Sequence, residues 1–293
     1  MRKIIKISPT QARRLFEEYL KQLDLLQKTV APIMDFKGLN RCKSLSYNKP
    51  PQKMYRYFEF EAAKSCIKNN TIRFSQPSTW NDGFEKRFYS TYCDYSNILT
   101  KEEQQVETPQ LYACCFTQNK TSEAAWKVYS YNDNQSEEKI CIQFTIDVNV
   151  FRRMLEEYAN ANNCMVYEGP MIYFYSDEEI NTIHQRGARR HDILFENFKL
   201  DNYLNLLRIK RQAFYYEGEY RFFVIPQEKN NVMEDYLYIP INWDKVIAEI
   251  KIESKVDDSI KKGLKSFLKT NNISANLQDF NLNKMEERIV IEK

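Results

Sequence analysis

The chain has 293 residues, 43% of them hydrophobic and 28% charged, with a formal net charge of +3. This composition belongs to a folded chain long enough to bury a core, and its near balance of charge gives no global electrostatic case for a nucleic-acid partner. Only 6 residues are glycine and no G-x-G-x-x-G or Walker-type run occurs, so glycine-rich phosphate loops are excluded.

Ser8-Pro9-Thr10-Gln11 reads as a capped helix start. Leu15, Phe16, Tyr19, Leu20, Leu23 and Leu26 follow at helical spacing, and their apolar face needs a partner, either the main domain or a second copy in a homo-oligomer. Gly38, Pro50 and Pro51 break the pattern, so residues 1–52 are expected to be an N-terminal helix and linker arm, and 53–293 a single α+β domain. Too few apolar residues open the chain for a signal peptide and no run is long enough to span a membrane, which predicts a cytoplasmic protein without a membrane partner.

The spacing predicts strands at Lys53–Phe60, Thr71–Phe74, Leu111–Phe116, Ile140–Ile146, Met165–Phe174, Tyr236–Ile241, Val246–Ile252 and Arg288–Ile291. It predicts helices at Glu61–Asn69, Ser122–Tyr129, Val148–Ala159 and Asp257–Lys269, a short connector at Thr100–Glu107, and a polar helical region from Asp177 to about Leu206. Strands and helices are interspersed without the rhythm of a doubly wound sheet. The expected class is α+β, with mixed or antiparallel sheets and helices outside. The 7 cysteines are odd in number, form no C-x-x-C pair and include the neighbours Cys114 and Cys115; with only His184 and His191 as imidazoles, reduced buried thiols and no metal site are expected.

Chemistry-bearing side chains are densest in three places. Arg56 lies between Tyr55 and Tyr57 on the first strand of the main domain, and the loop after Phe74 carries Ser75, Asn81, Asp82 and Glu85. In Tyr215–Val224, Y-Y-E-G-E-Y-R-F-F-V, a strand period of two sets Glu217, Glu219 and Arg221 on one face and Tyr216, Tyr220 and Phe222 on the other. That alternation fits a solvated edge strand, with Arg56 and Glu219 as a cross-strand pair, or a polar row on the floor of a cleft. Trp126 and Tyr129, one helical turn apart, could wall such a cleft or belong to the core. Arg186, Arg189 and Arg190 make the polar helical region basic, either as a solvated face or as a phosphate-holding surface for nucleic acid.

These blocks also carry a resemblance. Tyr55-Arg56-Tyr57, F-S-Q-P-S-T-W-N-D-G-F-E, C-C-F-T followed by A-W-K-V-Y, K-I-C-I-Q-F and Y-E-G-E-Y-R-F-F stand in the order found in the bacterial family catalogued as domain of unknown function 2971. The resemblance covers about 54–253, with Gly83 where that family usually has proline, Tyr220 in place of tryptophan, and Lys139 in place of glycine. More distantly, the block order is similar to that of ADP-ribosyltransferases, including DNA-modifying toxins. This likeness implies an ADP-ribosyltransferase-like fold, NAD as the nucleotide substrate, and a toxin or phage-defence role. It implies that Arg56 holds the diphosphate or ribose, Ser75 supports the nicotinamide ribose, Glu219 steadies the oxocarbenium-like ribose, and Glu217 faces the acceptor. Tyr57 or Trp126 would stack on nicotinamide or adenine, Tyr129 would help wall the cleft, and Asn81, Asp82 and Arg221 would complete the cofactor site.

Two other readings stand beside it. One is a metal-dependent nuclease built on Asp82, Glu85, Glu217 and Glu219 with Arg186–Arg190 on phosphates. The other is a non-catalytic nucleotide- or partner-binding module in which the same charges form an ion-pair network.

Overall fold

The computed structural model describes residues 34–35, 37–46, 50–83, 85–86, 110–130, 139–174, 204, 207–228 and 234–281. The N-terminal helix, the connector at 100–107, nearly all of the basic region with Arg186, Arg189 and Arg190, and the strand expected at 288–291 lie outside them.

Among the described residues thirteen strands follow in chain order: β1 (Met34–Asp35), β2 (Cys42–Ser44), β3 (Lys53–Glu59), β4 (Thr71–Ser75), β5 (Tyr112–Thr117), β6 (Cys141–Asp147), β7 (Cys164–Pro170), β8 (Ile172–Phe174), β9 (Ile209–Arg211), β10 (Glu219–Pro226), β11 (Tyr236–Pro240), β12 (Ile247–Glu253) and β13 (Asn276–Phe280). Helices with described bounds are α1 (Phe60–Asn69), α2 (Glu123–Ser130), α3 (Val148–Ala161), α4 (Trp243–Val246) and α5 (Asp258–Thr270). Eleven strands form one mixed sheet in the order β1-β2-β7-β10-β5-β3-β6-β12-β13, with the β4–β11 ribbon attached through β5; β8 and β9 make a separate parallel pair. The class is α+β, as composition and rhythm predict. No helix among the described residues is long and apolar enough to cross a membrane.

Alternation along the strands divides the sheet into two unlike faces. Met54, Phe58, Phe116, Phe144, Tyr220, Phe222, Val224 and Ile250 share one face and form the main core with α1, α3, α4 and α5. α3 forms because Asp147 accepts bonds from the Asn149 and Val150 amides, and Val148, Phe151, Leu155 and Ala159 recur at helical spacing on the buried side. The Phe151 ring meets Phe116 and Phe222 edge-on at 5.2 and 5.0 Å.

The opposite face has two smaller apolar clusters. One holds Ala113, Tyr167, Leu204 and Phe223, and the other Tyr57, Ala125, Trp126 and Cys141 under α2. Between them the paired row Glu219–Thr117–Tyr55–Thr145 is polar or hydroxylated throughout, and it sets the place of the candidate site.

Three readings are sharpened. Part of the linker arm joins the sheet, because β2 pairs in parallel with β7 and β1 pairs with β2. β10 is not an edge strand: β7 and β5 flank it on either side. The strand expected from Tyr215 begins only at Glu219, since residues Gln212–Glu217 wind into a 3-10 helix that ends at Gly218 with φ +50°. The β-region period therefore relates Glu219 to Arg221 but does not reach Glu217.

Candidate functional site

The site is built where β10, β9 and the loop after β4 meet. Glu219 and Arg221 stand two residues apart on β10 and share the Thr117–Tyr55 face. Arg221 donates from Nε to Glu219 Oε1 at 2.6 Å, from Nη2 to Glu85 Oε2 at 2.7 Å and from Nη1 to the Leu207 carbonyl at 2.6 Å. Lys210 on β9 sends its ammonium to Glu217 Oε2 at 2.5 Å, Glu219 Oε2 at 2.7 Å and Glu85 Oε1 at 3.5 Å. Three carboxylates thus surround two cations and leave the fully ionised cluster with one net negative charge.

The loop that carries Ser75 through Glu85 converges on this cluster. Trp80 lies 4.3 Å from the Arg221 guanidinium and donates from Nε1 to Ser75 Oγ at 3.3 Å. Asp82 accepts the Glu85 amide at 3.4 Å and pairs with Arg211 at 3.2 Å, so it both turns the loop and ties it to β9. Asn81 is exposed beside it.

Glu217 and Glu219 have opposite electrostatic fates. Burial pushes Glu219 up, but Arg221 and Lys210 outweigh it and bring the carboxyl down to about 2. Glu217 is raised, chiefly by burial, with Lys210 pulling it down and Glu219 and Glu85 pushing it further up. The Glu219 side chain is 6% exposed and the Glu217 side chain 30%, so Glu217 is the carboxylate at the rim. Its position is held by the backbone: Thr117 Oγ1 donates to the Glu217 carbonyl, and Asn119 Nδ2 donates to the Tyr216 carbonyl at 2.8 Å.

The remaining sequence-expected residues divide sharply. Tyr57 and Trp126 are 5% and 0% exposed, and Trp126 stacks on Phe280 at 4.9 Å, so neither ring has a free face for a ligand. Tyr129 stacks on Tyr57 at 5.9 Å and is 46% exposed, which leaves its outer surface open. Arg56 pairs with Phe144 and therefore points to the face opposite Glu219; no Arg56–Glu219 pair forms, and β5 stands between their strands. Ser75, Trp80, Asp82, Glu85, Glu217, Glu219 and Arg221 are brought together; Arg56 is not in contact with them.

Lys210 is the central residue that spacing arguments overlook. It lies 7 and 9 positions before the two carboxylates it joins, in a segment with no alternation of its own. Trp80 was visible in the loop motif only as an aromatic. Among the described residues, no group of three or more His, Cys, Asp or Glu side chains is arranged to hold a metal ion. No protein-family model, curated protein or solved structure matches this chain.

Proposed function

We propose that this protein is an ADP-ribosyltransferase-like enzyme that cleaves NAD, with Glu217 as the carboxylate that meets the acceptor and Glu219 as its ionised support. The observation that carries the reading is that two carboxylates share one lysine in unlike settings, Glu219 buried against Arg221 and Lys210 and Glu217 at the rim with its side chain 30% exposed. Environments that drive two titratable groups apart assign them different roles in acid–base chemistry. Cleavage breaks the bond from ribose C1 to nicotinamide nitrogen, whose electron pair leaves with nicotinamide. The ribose becomes cationic, and a cluster with net negative charge stabilises it in a partly desolvated setting. A water or acceptor hydroxyl then bonds to C1 and loses its proton to Glu217, whose raised pKa suits a base. Tyr129, with one face open, is the aromatic surface for a ring of the nucleotide.

Incubation of the purified protein with NAD, followed by chromatography for nicotinamide, tests this. Glu217→Gln is expected to lower turnover by about 10²–10⁴-fold, the usual contribution of a general base. Turnover indifferent to both Glu217→Gln and Glu219→Gln sinks the assignment.

A second reading, a non-catalytic binding module, is favoured by one specific observation: both Glu219 oxygens are engaged by cations in an almost fully buried setting. It predicts that Glu219→Gln lowers the melting temperature while NAD neither turns over nor raises it. The nuclease reading is less favoured, because Asp82, Glu85, Glu217 and Glu219 converge on Arg211, Arg221 and Lys210, and an ammonium occupies the point where three of them meet.

A further inference from the structure

Tyr173, a half-buried residue of β8, stands beside the carboxylate cluster. On this side of β10 the Glu219 carbonyl accepts the Met171 amide at 2.9 Å, as a ladder with β7 would continue. The chain then turns to β9, where the Ile172 amide donates to the Arg208 carbonyl at 2.7 Å. The Glu219 amide donates to a side chain instead, the Tyr173 phenol oxygen at 2.8 Å. A buried backbone amide needs an acceptor, and this phenol supplies it where the ladder ends.

The same residue braces the turn before Glu219. Its ring meets Tyr215 edge-on, with centroids 5.3 Å apart at 77°. Tyr215 belongs to the 3-10 helix that ends at Glu217, and its carbonyl accepts the Gly218 amide at 3.1 Å to close the last turn. In the parallel β8–β9 ribbon Tyr173 is paired with Lys210, whose ammonium joins Glu217 to Glu219, and paired residues project to the same side. Burial raises the Tyr173 phenol, with the Glu219 amide opposing, so the hydroxyl stays neutral and adds no charge to the cluster.

We propose that Tyr173 is a positioning residue: its hydroxyl on the Glu219 amide and its ring on Tyr215 fix where Glu217 stands relative to Glu219 and Lys210. The two carboxylates are joined only through Gly218, whose left-handed φ of +50° belongs to the most permissive residue type, so the turn needs support from outside. β5 and the residues after it give that support on one side, through Thr117 on the Glu217 carbonyl and Asn119 on the Tyr216 carbonyl. Tyr173 gives it on the other. The effect on turnover rests on the NAD reading; the grip on the Glu219 amide does not.

Tyr173→Phe removes the hydroxyl and keeps the ring against Tyr215. Hydrogen exchange of the full chain, read by NMR at the Glu219 amide, is expected to quicken at least about tenfold, while strands away from the site keep their protection. With NAD, kcat for nicotinamide release should fall about tenfold or more with KM within about twofold, since a displaced carboxylate harms the chemical step and not binding. In a Glu217→Gln background the same substitution should cost nothing further, because it acts through Glu217. Unchanged exchange at Glu219, a native kcat, or an equal loss in the Glu217→Gln background overturns the role. If the native protein releases no nicotinamide, the NAD reading fails by itself, and exchange at Glu219 alone decides: quickened in Tyr173→Phe it supports the grip, unchanged it overturns it. Should Tyr173→Phe not fold, a protected Glu219 amide in the native protein supports the role and an unprotected one overturns it.

Discussion

Arg221 and Glu85 are 136 positions apart in the chain and 2.7 Å apart in the fold, with side chains 2% and 6% exposed. This bond ties the loop after β4 to the centre of the sheet, and Glu219 and the Leu207 carbonyl complete the coordination of the same guanidinium. Removing one partner of a buried pair leaves the other charge without compensation, which costs far more than the net worth of the pair. Arg221→Met is therefore expected to destabilise the protein by about 3–5 kcal/mol in urea unfolding. An unchanged midpoint would show that the cluster does not hold the loop.

Glu219 and Glu217 predict opposite pH signatures. A carboxyl brought down to about 2 from its ordinary 4.5 contributes stability that is present above pH 4.5 and lost as pH falls towards 2. Glu217 is raised, so its contribution is present below its unfolded value and lost as pH rises through its folded one. Melting temperature followed from pH 2 to pH 8 should show a shallower acid limb in Glu219→Gln. Glu217→Gln should instead gain relative to the native protein towards neutral pH. Superimposable curves for the two variants would contradict the division of roles.

Gly218 separates the rim carboxylate from the buried one. Its φ of +50° is left-handed, and a Cβ there would come within 2.6 Å of the Asn119 side-chain nitrogen. Gly218→Ala should cost about 1–2 kcal/mol for the backbone conformation alone, before the clash with Asn119. Because Asn119 also holds the Tyr216 carbonyl, the change should displace Glu217 and depress NAD turnover more than Tm. Equal turnover in the alanine variant would remove Glu217 from the proposed chemistry.

Trp80 bridges Arg221 and Ser75. Trp80→Leu keeps apolar bulk but loses both the ring face over the guanidinium and the indole donor, at an expected cost of about 1–2 kcal/mol. Near-ultraviolet circular dichroism and urea unfolding together check whether the loss is local to the loop. Combining it with Arg221→Met should give less than the sum of the two, since both act on one contact. Simple additivity would contradict the shared contact.

The fold class, most of the strands and the four longer described helices were legible in the chain, because a period of two or of 3.6 is a local property that burial of one face imposes on the residues themselves. So was the concentration of charge in the Ser75–Glu85 loop and near Glu219. Gly218 was legible only as a glycine within a strand-like run. That it sits at a left-handed turn, ending a 3-10 helix and shortening the strand, depends on Asn119 and Thr117 reaching across from another segment. The linker arm could not be read as sheet, since the three residues of β2 are too few for a period and join the sheet through β7.

Partnership lay wholly in the tertiary structure. Alternation told that Glu219 and Arg221 share a face, but which face Arg56 takes depends on the register that joins Tyr55 to Thr117 and Thr117 to Glu219. A one-residue difference in that register would reverse every side chain, and nothing local to Tyr55-Arg56-Tyr57 specifies it. The chain by itself determined that charge would be gathered near β10. The fold alone decided that Lys210 and Glu85 complete the gathering, that Arg56 stands apart on the other face, and that Glu217 rather than Glu219 reaches the rim.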